Sequence, residues 1–193
     1  MTIRVDEAIW PWRGRKWAHL VSDESHDELH DFAVELGIRR VSFQGDHYDV
    51  DESTRRFAIE AGAVETDPRD LVRALRAAGL RRAPRERIER WDAPVWREIV
   101  TDRRSLDRAL LAADRHPTPM LDVVRAMSSS GPIDLSVLHR SREVAVVVAD
   151  PHERPDWRTE LDRALDVAPL TADVSVWIAG AGPSVVELLG APS

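Results

Sequence analysis

The chain has 193 residues, 43% hydrophobic and 32% charged, which is enough apolar content for one ordinary domain or two small ones. Its 27 basic and 34 acidic side chains leave a formal net charge of -7, which excludes a surface that is a nucleic-acid footprint throughout but permits a local basic patch. With no cysteine, disulfides, thiolate nucleophiles and Cys-held zinc or iron–sulfur sites are excluded, so a metal must be held by imidazole and oxygen.

The first half reads as alternating short strands and helices. Residues 2–6 and 17–23 are predicted strands bounded by polar turns, with the Trp10-Pro-Trp-Arg-Gly-Arg-Lys-Trp17 loop between them. Ser25 with Glu28 three residues on forms a capping box, and Leu29, Phe32, Ala33 and Leu36 continue at helical spacing to Gly37. A strand near 40–44 follows, then a loop at Asp46-His47-Tyr48-Asp49. A helix over 53–61 is expected to bury Phe57, Ala58 and Ala61. A short strand at 63–65 leads to a helix opened by Asp67-Pro68, which buries Leu71, Val72 and Leu75 and ends at Gly79.

Two prolines, many charges and weak periodicity mark 81–95 as a linker. Beyond it, helices are predicted at 105–115 and 119–127, a loop at 128–132, buried strands at 143–150 and 173–180, a helix over 156–165 and a terminal helix near Pro183. The reading is α/β throughout: a small mixed or parallel sheet with flanking helices over 1–80, the linker, and a second α/β part over 96–193. The longest purely apolar run, Val144–Ala149, is too short for a bilayer, and MTIRVDEAIW is not a charged-then-apolar leader. A cytoplasmic protein without membrane contact is expected.

Charge and histidine are unevenly placed. Asp23 to Glu52 holds ten Asp or Glu against Arg39 and Arg40, and four of the seven histidines (His19, His26, His30, His47) lie in or beside that stretch. Arg73 to Arg90 has seven Arg against Glu86 and Glu89.

Several of these blocks together resemble a known family. They are VDEA at 5–8, GRKWAHLVSD at 14–23, DELHDFAVELGIRR at 27–40, the Phe43–Val50 block and RRFAIEAGAVE at 55–65. The run from about 3 to 80 resembles an uncharacterised family of bacterial and phage proteins, domain of unknown function 4031. The resemblance implies a shared fold and points to His19, Asp23, His30, His47, Tyr48 and Asp49. It implies no activity, substrate or cofactor.

Asp6, Asp23 and Asp46 each stand at or just past a predicted strand end, where ligands collect in open α/β sheets if the strands run parallel. The period of two puts His19 and Asp23 on one strand face, and His30 borders the apolar stripe of its helix. Imidazoles with carboxylates bind a divalent cation through N and O ligands or place a general base beside a polarised water. On this reading Asp6, His19 and Asp23 hold the metal. His30 and His47 act as ligands or acid–base groups, Asp49 or Asp46 orients His47, and Tyr48 positions an anion or leaving group. Arg13, Arg15 and Trp17 meet the anionic part of a small substrate. The same Asp residues also suit strand-end turns and helix caps, and Tyr48 also suits a packed anchor.

His26 and His30 share a helix face at i and i+4, but Asp27 stands where a zincin has Glu and no third ligand follows at zincin spacing, so one site histidine and one surface histidine are expected. Ile178 to Ser184 reads as strand-to-helix punctuation. The leading expectation is a metal-assisted hydrolase of a phosphate-containing or nucleotide-like substrate. The alternative is a non-catalytic nucleic-acid or protein-binding module that uses the Trp/Arg loop and Arg73–Arg90.

Overall fold

The computed structural model describes residues 2–83, 91, 96–112, 118–128, 131–140, 143–172, 174–178 and 185–190. The chain divides into two compact units, Met1–Ile88 and Glu89–Ser193. Both combine helices with a β-sheet. Most of the predicted 81–95 linker lies outside the described residues, as do Ser129–Ser130 and residues 179–184.

The first unit runs β1 (Ile3–Val5), β2 (Trp10–Trp12), β3 (Arg15–Ser22), α1 (His26–Glu35), a 3-10 turn (Arg40–Ser42), β4 (Tyr48–Asp51), α2 (Glu52–Glu60), β5 (Val64–Glu65) and α3 (Pro68–Ala77). Its helices start where short polar side chains cap them. Ser25 accepts from the Glu28 N–H, Asp51 from Thr54, and Asp67 from Arg69 with Pro68 in the first turn.

The sheet is mixed. β3 is its centre, with β1 and then β2 antiparallel along one edge and β4 antiparallel along the other, while β5 lies parallel to β1 on its outer side. Strand alternation sorts the residues into two faces. Ile3, Val5, Ala18, Leu20, Ser22, Tyr48 and Val50 point one way and are buried. That face carries α1, because the Ser22 hydroxyl donates to Glu28 and Tyr48 reaches His30. On the other face Val21 packs with Leu71 and Leu75 of α3, and the same side presents Arg4, Asp6, Trp10, Trp12, Arg15, Trp17, His19, Asp49 and Asp51.

Three expectations for this unit change. The predicted loop between the first strands is a β-hairpin, whose two-residue turn is Arg13-Gly14 with both residues left-handed at φ 49 and 75. Within 40–44, Arg40–Ser42 form a 3-10 turn and Phe43 makes one bridge to Tyr48, and the strand begins at Tyr48, inside the predicted loop. Phe57 is exposed; Ala58 is the side chain of α2 that is fully covered.

The second unit contains β6 (Trp96–Val100), α4 (Arg103–Ala112), α5 (Thr118–Ser128), β7 (Ile133–Arg140), β8 (Glu143–Ala149), α6 (Trp157–Val167), β9 (Ser175–Ile178) and β10 (Val185–Gly190). Its sheet is antiparallel in the order β6-β7-β8-β10-β9. Ile133, Leu135, Val146, Val148, Val186 and Leu188 form one apolar face against Met120, Val124 and Met127 of α5 and Trp157 and Leu161 of α6. The predicted terminal helix is instead β10, since VVELLG is short and β-branched at its start and fills the slot between β8 and β9. β7 has no counterpart among the predicted elements, although its Ile133, Leu135 and Val137 alternate inward as a half-buried strand requires.

Candidate functional site

The site grows from the pairing of β3 with its two neighbours. His19 stands opposite Asp49 of β4, and on the other edge the Asp6 backbone N–H donates to the His19 carbonyl, 3.2 Å. Paired residues share a face, so Asp6, His19 and Asp49 are brought side by side from three separate segments. His47 lies two residues before Asp49 and therefore on the same side.

Each imidazole is held at Nδ1 by a buried carboxylate. Asp6 accepts from the His19 backbone N–H at 2.6 Å and lies 2.8 Å from His19 Nδ1. Asp46 lies 2.6 Å from His47 Nδ1. A carboxylate only accepts, so Nδ1 carries a proton in both rings, and Nε2 is the nitrogen turned away from Asp6 and Asp46. The Nε2 atoms both look toward Asp49 Oδ1, at 3.3 Å from His47 and 4.0 Å from His19. The two rings meet edge to face with centroids 5.1 Å apart. Donor atoms of His19, His47 and Asp49 all lie within 4.8 Å of one another. Asp6 and Asp46 are covered, while Asp49 is 40% exposed, so the converging atoms open to solvent.

Two arginines brace this arrangement. Arg81 Nη1 meets Asp46 Oδ2 at 3.0 Å, and the Arg82 backbone N–H donates to the same oxygen at 3.4 Å. Arg55 Nε donates to the Asp6 carbonyl at 2.6 Å and its Nη2 to Glu65 at 2.6 Å. Burial pushes the Asp46 carboxyl upward, but His47, Arg81 and the Arg82 N–H outweigh it and hold Asp46 below its usual range. Burial likewise pushes His47 down, and its hydrogen bonds to Asp46 and Asp49 outweigh that and raise it above its usual value.

The residues singled out from sequence divide among three places. His19, His47, Asp49, Asp6 and Asp46 converge as described. Asp23 does not join them, because β3 runs antiparallel to β1 and carries its C-terminal end to the other end of the strands, beside the start of β1. There Asp23 accepts from the Thr2 N–H at 3.0 Å and from Arg4 Nε at 2.9 Å. His30 and Tyr48 sit on the α1 face, where the Tyr48 hydroxyl, fully buried, lies 2.9 Å from His30 Nδ1. Alternation along β4 forces this split, since Tyr48 and Asp49 must point to opposite sides. Tyr48 is thus a packed anchor.

His26 is not a surface histidine. Its ring packs 5.3 Å from Phe43, and its Nε2 is buried with no hydrogen-bond partner among the described residues; burial, followed by Arg82, lowers its pKa. Arg13 stacks 4.5 Å over the Trp12 ring, Arg15 pairs with Asp51 at 3.0 Å, and Trp17 Nε1 donates to the Trp12 carbonyl at 3.0 Å.

Sequence reasoning missed three neighbours of the site. Trp10 packs edge-on against His19 at 5.6 Å, Arg55 holds the Asp6 backbone, and Arg81 arrives from the predicted linker. A WPW–RG hairpin pattern was available as a signal for Trp10. Nothing local links Arg81 to Asp46, 35 residues away.

Residues 3–78 match the protein-family model described as "Protein of unknown function (DUF4031)". No curated protein and no solved structure matches the chain. Among the described residues, no helix is long and apolar enough to cross a membrane.

Proposed function

We propose that the face built from His19, His47 and Asp49, inside the segment that the family of unknown function spans, is the centre of a metal-assisted hydrolase acting on a phosphate-containing, nucleotide-like substrate. The observation that carries this reading is the convergence of two Nε2 atoms and a carboxylate within 4.8 Å, each ring backed at Nδ1 by its own aspartate.

The donor set fits a divalent cation of the first transition row or zinc. Imidazole and carboxylate suit those ions, and three protein ligands leave positions open for water and substrate. Ligating histidines characteristically donate their second nitrogen to a carboxylate, which fixes the tautomer and raises the ring's basicity. Asp6 and Asp46 stand where such partners belong. The charge balance points the same way. Asp6, Asp46 and Asp49 crowd two imidazoles, and Arg81 offsets one carboxylate, so a cation between the Nε2 atoms relieves the remaining repulsion.

A cation held by His19, His47 and Asp49 would supply a water acidified to about neutral pH and a positive charge facing the phosphate. Asp6 and Asp46 keep both rings aimed throughout.

Calorimetric titration with Zn²⁺ or Mn²⁺ tests the reading. One ion per chain is expected, and His19→Ala and His47→Ala should each lose it while keeping the folded circular-dichroism spectrum. A wild-type protein that binds neither ion and is not altered by chelator overturns the proposal.

A further inference from the structure

We infer that the β2–β3 hairpin is a stacking rail for single-stranded nucleic acid, laid so that a bound strand leads into the His19–His47–Asp49 face. The inference rests on reading that face as the reacting end, and it narrows the substrate from nucleotide-like phosphates to an unpaired polynucleotide.

The first ground is where the indoles sit. Trp10 and Trp12 remain 47% and 55% exposed, with Ile9 beside them at 48%. Large aromatic side chains normally contribute to a core, and a small domain that leaves two of them uncovered in one short strand presents a binding surface. They are two residues apart in β2, so they share a face and stand about 7 Å apart at the strand rise of ~3.4 Å per residue. Cross-strand pairing of Trp10 with Trp17 and Trp12 with Arg15 puts that face in register with Arg15, Trp17 and His19 of β3. The row therefore runs Trp12, Trp10, His19, with the Trp10 ring already touching the His19 ring edge-on at 5.6 Å.

The second ground is rigidity. Trp17 meets Trp12 edge-to-face at 5.5 Å and donates its Nε1 hydrogen to the Trp12 carbonyl. The tight Arg13-Gly14 turn closes the ribbon, and β3 anchors it in the sheet. Pre-set rings lose little freedom when a base stacks on them.

The third ground is charge. The chain is acidic as a whole, yet this hairpin has Arg13, Arg15 and Lys16 within four residues and no acidic side chain from Ile9 to Trp17. Arg13 stands over the Trp12 ring, and Arg15 is 67% exposed in an ion pair with Asp51. An exposed pair of that kind is worth little and exchanges readily for a phosphate. Aromatic faces alternating with cations suit bases that are already unstacked, which excludes a closed duplex. Two rings in line extend beyond what one mononucleotide occupies.

The test is fluorescence anisotropy of short labelled oligo-dT and oligo-U with the full-length protein in EDTA at low salt, alongside the matching duplex. Binding to one or both single strands, weakening steeply with salt, is expected, and the two arms tell DNA from RNA. Each of W10A and W12A should weaken it by about tenfold, and W10F/W12F should restore most of the affinity. Equal binding by wild type and W10A/W12A, no binding to either strand, or a preference for duplex overturns the inference. So does a wild-type dimer in sedimentation that W10A/W12A abolishes without any oligonucleotide bound, which assigns the indoles to a second copy of the chain. Because oligonucleotide is titrated in EDTA and the metal is titrated without oligonucleotide, failure of the rail and failure of the metal reading give separate signals.

Discussion

Tyr48 and Asp49 are adjacent in the chain and serve opposite sides of one sheet. The Tyr48 hydroxyl is buried against His30 Nδ1 at 2.9 Å, whereas the Asp49 carboxylate faces His47 Nε2 at 3.3 Å and His19 Nε2 at 4.0 Å. One residue step along β4 separates a buried anchor from a carboxylate of the candidate site.

That separation predicts different consequences for neighbouring substitutions. Tyr48→Phe removes one buried hydrogen bond and should cost about 1 kcal/mol of stability, with metal affinity unchanged. Asp49→Ala should abolish metal binding at little cost in stability, its side chain being partly exposed. Asp23→Ala, which breaks the contact with Arg4 and Thr2 at the far end of β3, should resemble Tyr48→Phe. Urea unfolding midpoints paired with metal titrations measure both effects, and loss of metal in Tyr48→Phe would refute the two-face assignment.

The aspartates behind the rings should act through them. Asp6→Asn and Asp46→Asn keep the shape but weaken the hold on each Nδ1–H, and metal affinity should fall by about 10- to 100-fold. Arg81→Gln should give a smaller loss in the same direction, because it touches Asp46 and not the ring. Competition against a chromophoric chelator reads these affinities. Unchanged affinity in Asp46→Asn would show that His47 is oriented by something else.

In the second unit, Asp150 should make stability sensitive to acid. Burial pushes its carboxyl up, but the backbone N–H groups of His152 and Arg154 and the Arg154 guanidinium outweigh burial and hold it below 3.8. A carboxylate lowered on folding contributes stability that is complete above the unfolded value and is lost as pH falls through the folded one. Wild-type stability should therefore drop below about pH 3.8 more steeply than that of Asp150→Asn, which lacks the titrating group. Denaturant midpoints followed into acid for both proteins give the comparison, and parallel curves would count against the assignment.

Much of the helical framework was readable locally, because its signals are local. Ser25 with Glu28, Asp67 with Pro68 and the glycines at 37 and 79 mark helix ends through bonds or dihedral demands within a few residues. Strands were harder to place. Residues 40–44 and 48–51 both have strand-like composition, and the choice between them was made by pairing with β3. VVELLG became a strand because a gap between β8 and β9 awaited it. For the site, His19, His47, Asp49, Asp6 and Asp46 were all visible as residue types crowded in one acidic stretch and its approach. The contact of Asp46 with His47 was among those expected, whereas Asp6 backing His19 and Asp49 facing both rings were not.

The amino-acid sequence by itself determined the chemistry on offer: no thiolate, histidines interleaved with aspartates, and a Trp/Arg segment beside them. Side-chain alternation also settled which residues within a single strand must share a face. Only the tertiary structure decided which strand ran beside which and in what direction. That direction turned Asp23 away and put Asp6 and Asp49 on either side of His19, and the packing of α1 on one face decided that Tyr48 meets His30. The physical reason is that pairing direction and register arise from hydrogen bonds and buried contacts between segments distant in the chain. Neither composition nor local periodicity encodes such contacts.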